Sequence, residues 1–311
     1  MTKNILVTGG SGFIGSHLVD ELKKKNYKVT VVDFKKPQRR DVKFLKGNTL
    51  NFNFLKRITK NIDIIFHLAG VSDITKVKKI PIKTIKSHIL SCSYLLEASR
   101  INSVKRILFA SSIYAHSKKG NLYTSSKLAS ENIIDNYNLL YGVNFTVLRY
   151  STAYGERSRG VDVISIFAKN ALKHSDIIIN GNGKQTRNFI HVKDIAKGSV
   201  LALSNRYKNK TLNIGSNKKT KIIDLAKIVK NVVEKKMGLK EINIDVSKSN
   251  DNRSYHINSN KIERILGFKP VYTIEDAVES LCNAFDSGLL KDSLTDSIYS
   301  NVKTMQKLNV E

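Results

Sequence analysis

Short apolar runs alternate with segments of helical periodicity through the first 150 residues of the chain. Runs rich in Val, Ile, Leu and Phe at 4–8, 28–33, 43–46, 63–68, 106–111 and 144–149 predict strands. Several are continuously apolar rather than alternating, which marks strands buried on both faces. Between them, 14–25 and 90–100 repeat apolar positions at three- and four-residue spacing and predict helices packed on the sheet. This alternation predicts an α/β fold on a doubly wound, parallel, Rossmann-type sheet. After Tyr154-Gly155 the pattern loosens. A helix at 162–173, a hairpin-like stretch at 177–183, a helix at 192–203, a strand at 211–214 and a helix at 222–236 are expected there. Residues beyond 285 are polar and weakly patterned, a C-terminal tail that is either helical or loose.

Composition narrows this picture only a little. A chain of 311 residues with 41% hydrophobic content can bury a large core and carry a smaller appended lobe. No stretch approaches the roughly 18 uninterrupted apolar residues of a membrane span, and the N-terminus reads as a strand, so a cytoplasmic protein without membrane association is expected. Cys92 and Cys282 form neither a disulfide framework nor a metal-ligand cluster and read as buried thiols. His67 and His191 lack partners at ligand spacing and read as packing residues, so no metal is expected. The net charge of +27 is spread along the whole chain, often in runs such as Lys23, Lys24 and Lys25, without interleaved aromatics or a nucleic-acid motif. It reads as compositional bias, and no nucleic-acid partner is expected.

The candidate chemistry begins at Thr8-Gly9-Gly10-Ser11-Gly12-Phe13-Ile14-Gly15, directly after the first strand and opening a helix. That context suits a dinucleotide. Gly9 allows a sharp turn, Gly12 lets the backbone approach a pyrophosphate, and Gly15 lets the helix pack on the sheet. The helix N-terminus then offers free N–H groups to the phosphates. Asp33 ends the second strand 18 residues after Gly15, placed to accept from ribose hydroxyls and to repel a 2′-phosphate. NAD is therefore expected over NADP, although Lys35, Lys36, Arg39 and Arg40 lie nearby. Tyr123-Thr-Ser-Ser-Lys127 places a phenol and an ammonium one turn apart on one helix face. A phenol of ordinary pKa about 10 is a poor base until a neighbouring cation favours the phenolate. Ser111-Ser112, at the end of the fifth strand, supplies a hydroxyl to hold the reacting oxygen.

The TGxxGxxG spacing, with Ser112, Tyr123 and Lys127, resembles the short-chain dehydrogenase/reductase superfamily. Later stretches are similar to its extended, NAD-dependent epimerase/dehydratase branch. These are His67-Leu68-Ala69-Gly70, Gly47-Asn48, Leu148-Arg149-Tyr150-Ser-Thr152-Ala-Tyr154-Gly155, the run Gly181–Asp194 with Arg187, Leu212–Gly215, and Leu266–Pro270. The resemblance covers about residues 3–285. It implies Ser112, Tyr123 and Lys127 as catalytic residues. Cofactor contacts fall to Gly9, Gly12, Phe13, Ile14, Gly15, Asp33, Asn48, Leu68, Ala69, Gly70, Ser111 and Tyr150, together with Tyr123 and Lys127. Substrate contacts fall to Thr152, Arg187 and Arg253, with Arg187 on the diphosphate. It further implies an NAD-binding domain of 1–155 and about 186–215, and a smaller, discontinuous C-terminal α/β substrate lobe of about 156–185 and 216–285. The 286–311 tail stands apart, and a homodimer through helices near 88–101 and 124–140 is expected.

Four departures from the family pattern bear on the substrate. Tyr123 follows Ser112 by only 11 positions, so the loop that ordinarily covers part of the sugar is short. Thr152 and His88 each stand where the family has an asparagine. Lys248-Ser-Asn-Asp251, followed by Arg253, replaces its R-P-G-D signature. Ile113-Tyr114 occupy the positions of the dehydratases' Asp-Glu pair, which disfavours 4,6-dehydration. The resemblance implies an enzyme that epimerises a nucleotide-diphosphate sugar at C4 through a keto intermediate. Two alternatives are a net reductase or dehydrogenase of the same fold, and a non-catalytic NAD-binding sensor or scaffold.

Overall fold

The computed structural model describes residues 2–73, 77–116, 121–158, 162–173, 175–239, 241–247 and 267–287. The described residues divide into two compact units, the first within Met1–Tyr150 and Ala196–Ile214, the second within Ser151–Ile195 and Gly215–Ser287.

The first unit is built on a seven-stranded sheet of β1 (Asn4–Thr8), β2 (Lys28–Asp33), β3 (Lys43–Lys46), β4 (Ile64–His67), β5 (Arg106–Ser112), β6 (Phe145–Tyr150) and β10 (Lys210–Ile214). Their order is β10-β6-β5-β4-β1-β2-β3 and every pairing is parallel. The order reverses direction at β1/β4, the switch point where open α/β sheets leave a crevice at their carboxyl ends. Helices α1 (Phe13–Lys24), α2 (Phe52–Ile58), α3 (Pro81–Ile85), α4 (Ser91–Ile101) and α5 (Leu122–Tyr141) connect the strands. Leu6, Val32, Ile65, Phe109 and Val147 from the strands pack with Leu55, Leu95, Leu96 and Ile134 from the helices. The expectation of a doubly wound parallel sheet is met.

Between α3 and α4, Lys86–Leu90 form one π-turn, so the helical stretch starts at Pro81 rather than near residue 90. A π-turn inserts a residue into the helical ladder. It breaks the 3.6-residue period on which the sequence reading relied. Pro81 suits the start, where its missing N–H costs nothing.

The second unit holds two small sheets. Strand β9 (Thr186–His191) lies between β7 (Thr152–Tyr154), parallel to it, and β11 (Lys219–Lys221), antiparallel. Strand β8 (Ile177–Asn180) pairs in parallel with β12 (Ile244–Ser247). The expected hairpin at 177–183 is therefore corrected. Gly181 and Gly183, both at positive φ, do turn the chain, but its two arms enter different sheets. Ile177 and Ile179 face inward, against Leu225 and Val229 of the helix α8 (Ile222–Met237). The pairing of β7 with β9 also places 152–154 and 186–191 in the second unit, where the sequence reading had put them in the first. Two further helices are α6 (Val163–Leu172) and α9 (Ile274–Asp286), the latter opened by a capping box of Thr273 and Asp276. Between them in the sequence, α7 spans Val192–Leu201.

Among the described residues no helix is long and apolar enough to cross a membrane. Cys92 and Cys282 are buried free thiols, held protonated by burial up to about 12 and about 11.

Candidate active site

Two glycines shape the turn from β1 into α1. Gly9 has φ of +73°, and a methyl group there would stand 2.7 Å from the Ala69 amide nitrogen. A methyl on Gly15 would stand 2.1 Å from the Gly9 carbonyl oxygen. Backbone therefore meets backbone at both positions, and the loop after β4 lies against the Gly-rich loop at the switch point. Gly12 is the N-cap residue of α1 and supplies no side-chain cap. The amides of Phe13, Ile14 and Gly15 thus open the helix with its partial positive charge directed outward. This cradle fits a diphosphate.

Asp33 ends β2 beside this loop. Its carboxylate accepts from the Ser11 amide at 3.0 Å and the Phe34 amide at 2.7 Å. Arg39, which the sequence left as a potential partner for a 2′-phosphate, is held by Asp41 at 2.6 Å and Asp20 at 3.3 Å. Its charge is answered within the protein, which strengthens the case for NAD. The Asn48 amide oxygen accepts from the Leu50 amide at 3.0 Å, so the group that the resemblance offered to the cofactor already serves a turn. Leu68 and Ala69 are tied to Thr8 through their amides, at 3.0 and 3.4 Å.

The second constellation rises from β5 and α5. Ser111 and Ser112 end β5, and the Ser112 hydroxyl oxygen accepts from the Tyr114 amide at 3.2 Å. Asn121 caps α5, accepting from the Tyr123 amide at 2.9 Å, which fixes Tyr123 in the first turn. One turn on, Lys127 is buried, donates to the Ala110 carbonyl at 2.8 Å, and lies 4.8 Å from the Phe109 ring centroid. Burial pushes its pKa down to about 8. The nearby Glu131 carboxylate opposes that shift. Tyr123, Lys127 and Glu131 recur at four-residue steps and so occupy one face of α5. The sequence reading missed Glu131, although its spacing from Lys127 was the available signal. Its carboxylate takes the Ser111 hydroxyl and the Arg149 guanidinium, the latter's Nε at 3.1 and 3.2 Å. Ser111, assigned by resemblance to the cofactor, thus has its hydroxyl directed to a carboxylate. Tyr150, similarly assigned, bonds Ser199 at 2.9 Å and is fully enclosed, which drives its phenol pKa upward.

His67 and His191 are both buried, and His67 sets an acid limit. His67 bridges Thr8 at 2.7 Å and Ser91 at 3.2 Å, and burial pushes its pKa down to about 3. The unfolded chain takes up this proton near pH 6.5, whereas the folded chain refuses it until about pH 3. The stability is fully present above pH 6.5 and is lost as pH falls through that window. Melting temperature against pH should drop more steeply below pH 6.5 in the wild type than in His67→Asn, and parallel curves would contradict this. His191 stacks on Tyr272 at 4.7 Å, and its ring would meet a methyl placed on Gly155 at 2.7 Å.

Of the three substrate candidates, Thr152 lies on β7 opposite Phe189, and Arg187 lies two residues before Phe189 on the adjacent β9. Both are half-buried, and the Arg187 Nη1 donates to the Thr186 carbonyl at 3.0 Å. Arg253, with the 248–251 stretch before it, lies outside the described residues.

The chain matches the pattern of the NAD dependent epimerase/dehydratase family over residues 5–215. A Methanocaldococcus jannaschii protein named "Putative UDP-glucose 4-epimerase" is 32% identical over 303 residues, covering 90% of this chain and 97% of that one. The UDP-N-acetyl-alpha-D-glucosaminuronate decarboxylase of Bacillus cytotoxicus is 31% identical over 255 residues, 73% of this chain and 79% of that one. Among solved structures, the Thermotoga maritima UDP-glucose 4-epimerase with UDP-glucose superposes with a TM-score of 0.82 at 28% identity, covering 92% of this chain and 99% of that one.

Proposed function

The chain belongs to the NAD dependent epimerase/dehydratase family and is an NAD-dependent enzyme; from that premise we propose that it is a nucleotide-sugar 4-epimerase acting on a UDP-sugar. The observation that carries this reading is the buried Lys127 ammonium, one turn from Tyr123 and bonded to the β5 carbonyl two residues before Ser112. The nucleotide is chosen because the similar proteins named above carry UDP-sugars in their names.

The Tyr123 phenolate accepts the proton of the sugar 4-hydroxyl, and the Lys127 ammonium stabilises that phenolate. Ser112 donates a hydrogen bond to the same sugar oxygen and holds it during the transfer. NAD, when bound, supplies a hydride acceptor for C4 and later a donor to its opposite face. Tyr123 returns the proton to the oxygen from which it came, and the cycle is redox-neutral because the hydride removed from C4 also returns to C4. Arg187 is assigned to the diphosphate, and Thr152 to the sugar. A homodimer is assigned to helices α4 and α5, on which Ile101, Leu139, Leu140 and Tyr141 are large exposed apolar side chains.

A redox-neutral cycle requires the cofactor to stay with the protein. Purified protein is expected to release close to one equivalent of NAD on denaturation, and its melting temperature should rise with UDP-sugars. Protein that purifies without cofactor and turns over only with added NADH or NADPH would instead establish the net reductase.

A further inference from the structure

We propose that His88 is a positioning residue for Tyr123, its two ring nitrogens locking the first turn of α5 to the loop that follows β4. The proposal rests on Tyr123 being the acid/base group of the reading above.

The π-turn Lys86–Leu90 carries His88 at its centre. A π-turn re-aims the side chains of the helix that contains it and is often found at functional sites. Here the imidazole is buried, with 1% exposure. Its Nε2 lies 2.8 Å from the Val71 carbonyl oxygen and its Nδ1 lies 2.7 Å from the Ser126 hydroxyl. Its edge meets the Tyr123 ring at 5.6 Å between centroids, with the planes at 81°. Only glycine at position 70 leaves room for the ring, because a methyl there would stand 2.9 Å from its Cδ2. Val71 and Tyr123 also share a small apolar cluster with Val77, Phe34, Ile80 and Leu122. One side chain therefore touches the loop after β4, the phenol ring, and a hydroxyl one turn beyond it.

The hydrogen-bond inventory fixes the tautomer. A carbonyl oxygen only accepts, so Nε2 carries the proton and donates to Val71. Burial, with the Lys127 ammonium nearby and the His67 ring adding a smaller effect in the same direction, holds the imidazole neutral. Nδ1 is then an acceptor and takes the Ser126 hydroxyl proton. The Ser126 oxygen also lies 2.9 Å from the Tyr123 carbonyl, but one hydroxyl proton cannot serve both acceptors fully. His88 thus draws on the donor that would otherwise close back onto the Tyr123 peptide, and it anchors the first turn of α5 sideways instead. The Ser130 hydroxyl, one turn further, lies 2.9 Å from the Ser126 carbonyl oxygen and 3.3 Å from that of His88. A ring of this size with two nitrogens spans from Val71 to Ser126; phenylalanine fills the volume without either bond, and asparagine keeps a donor and an acceptor on a shorter stem.

Two variants separate positioning from packing. In His88→Phe, kcat should fall by about ten- to a hundredfold, the scale of an ångström-sized misplacement of a reacting group, with KM for the UDP-sugar within about twofold. His88→Asn should recover part of that loss. The second measurement is independent of turnover: NMR of protein carrying ring-labelled tyrosine, with the Tyr123 signal identified by its loss in Tyr123→Phe. That signal should move in His88→Phe and move less in His88→Asn. Unchanged kcat in both variants, or an unmoved Tyr123 signal, would overturn the proposal. A wild type inactive on every UDP-sugar would refute the functional reading alone, because the NMR comparison would still decide the role of His88.

Discussion

Tyr123→Phe is expected to lower kcat by about 10²–10⁴-fold while leaving the melting temperature and the bound NAD unchanged. The substitution removes one oxygen from a half-buried ring and keeps the apolar cluster with Val71 and Val77 intact. The backbone of the residue stays fixed, because Asn121 caps its amide and not its side chain. What is lost is the atom that takes and returns the sugar proton. Lys127 cannot replace it, because its ammonium is buried and donates to Ala110. Steady-state kinetics alongside thermal unfolding would check this, and a variant retaining more than a tenth of wild-type kcat would remove Tyr123 from the chemistry.

Gly15→Ala should have the largest effect on the cofactor. The new methyl would lie 2.1 Å from the Gly9 carbonyl oxygen and 2.9 Å from the Gly10 Cα, and neither backbone atom can rotate aside. Helix α1 must move away from the loop, which carries the Phe13 and Ile14 amides out of the diphosphate cradle. Overpacking of this kind costs about 1–3 kcal/mol. The expected outcome is protein with a lower melting temperature that purifies without NAD, read by the cofactor released on denaturation. Stoichiometric NAD in the variant would mean that the Gly-rich loop is not the cradle.

Much of the first unit was legible in the sequence. Strands 4–8, 28–33 and 43–46 were read at their observed limits; 4–8 stands out because a parallel strand buried on both faces appears as an almost uninterrupted apolar run. The Gly-rich loop was legible because its glycines sit within one short stretch between a strand and a helix. Contacts between distant segments were not. Asn180-Gly181-Asn182-Gly183 signals a turn, yet nothing local states that β8 pairs with β12 and β9 with β7. The start of α3 was hidden by a π-turn that shifts the apolar period. Glu131 was missed, since its partners Ser111 and Arg149 come from two strands. His88 was visible only as a departure from a family pattern, because its role depends on a carbonyl, a hydroxyl and a ring that converge through folding.

The most direct test incubates the purified protein with UDP-glucose and no added cofactor, in deuterated water, and follows the sugar by proton NMR. The account predicts a growing C4 epimer, with the C4 proton kept undiluted by solvent because it returns as the same hydride, and with no NADH absorbance accumulating. Deuterium at C4, net NADH, or an unchanged sugar with this substrate and with UDP-glucuronic acid and UDP-N-acetylglucosamine would contradict it.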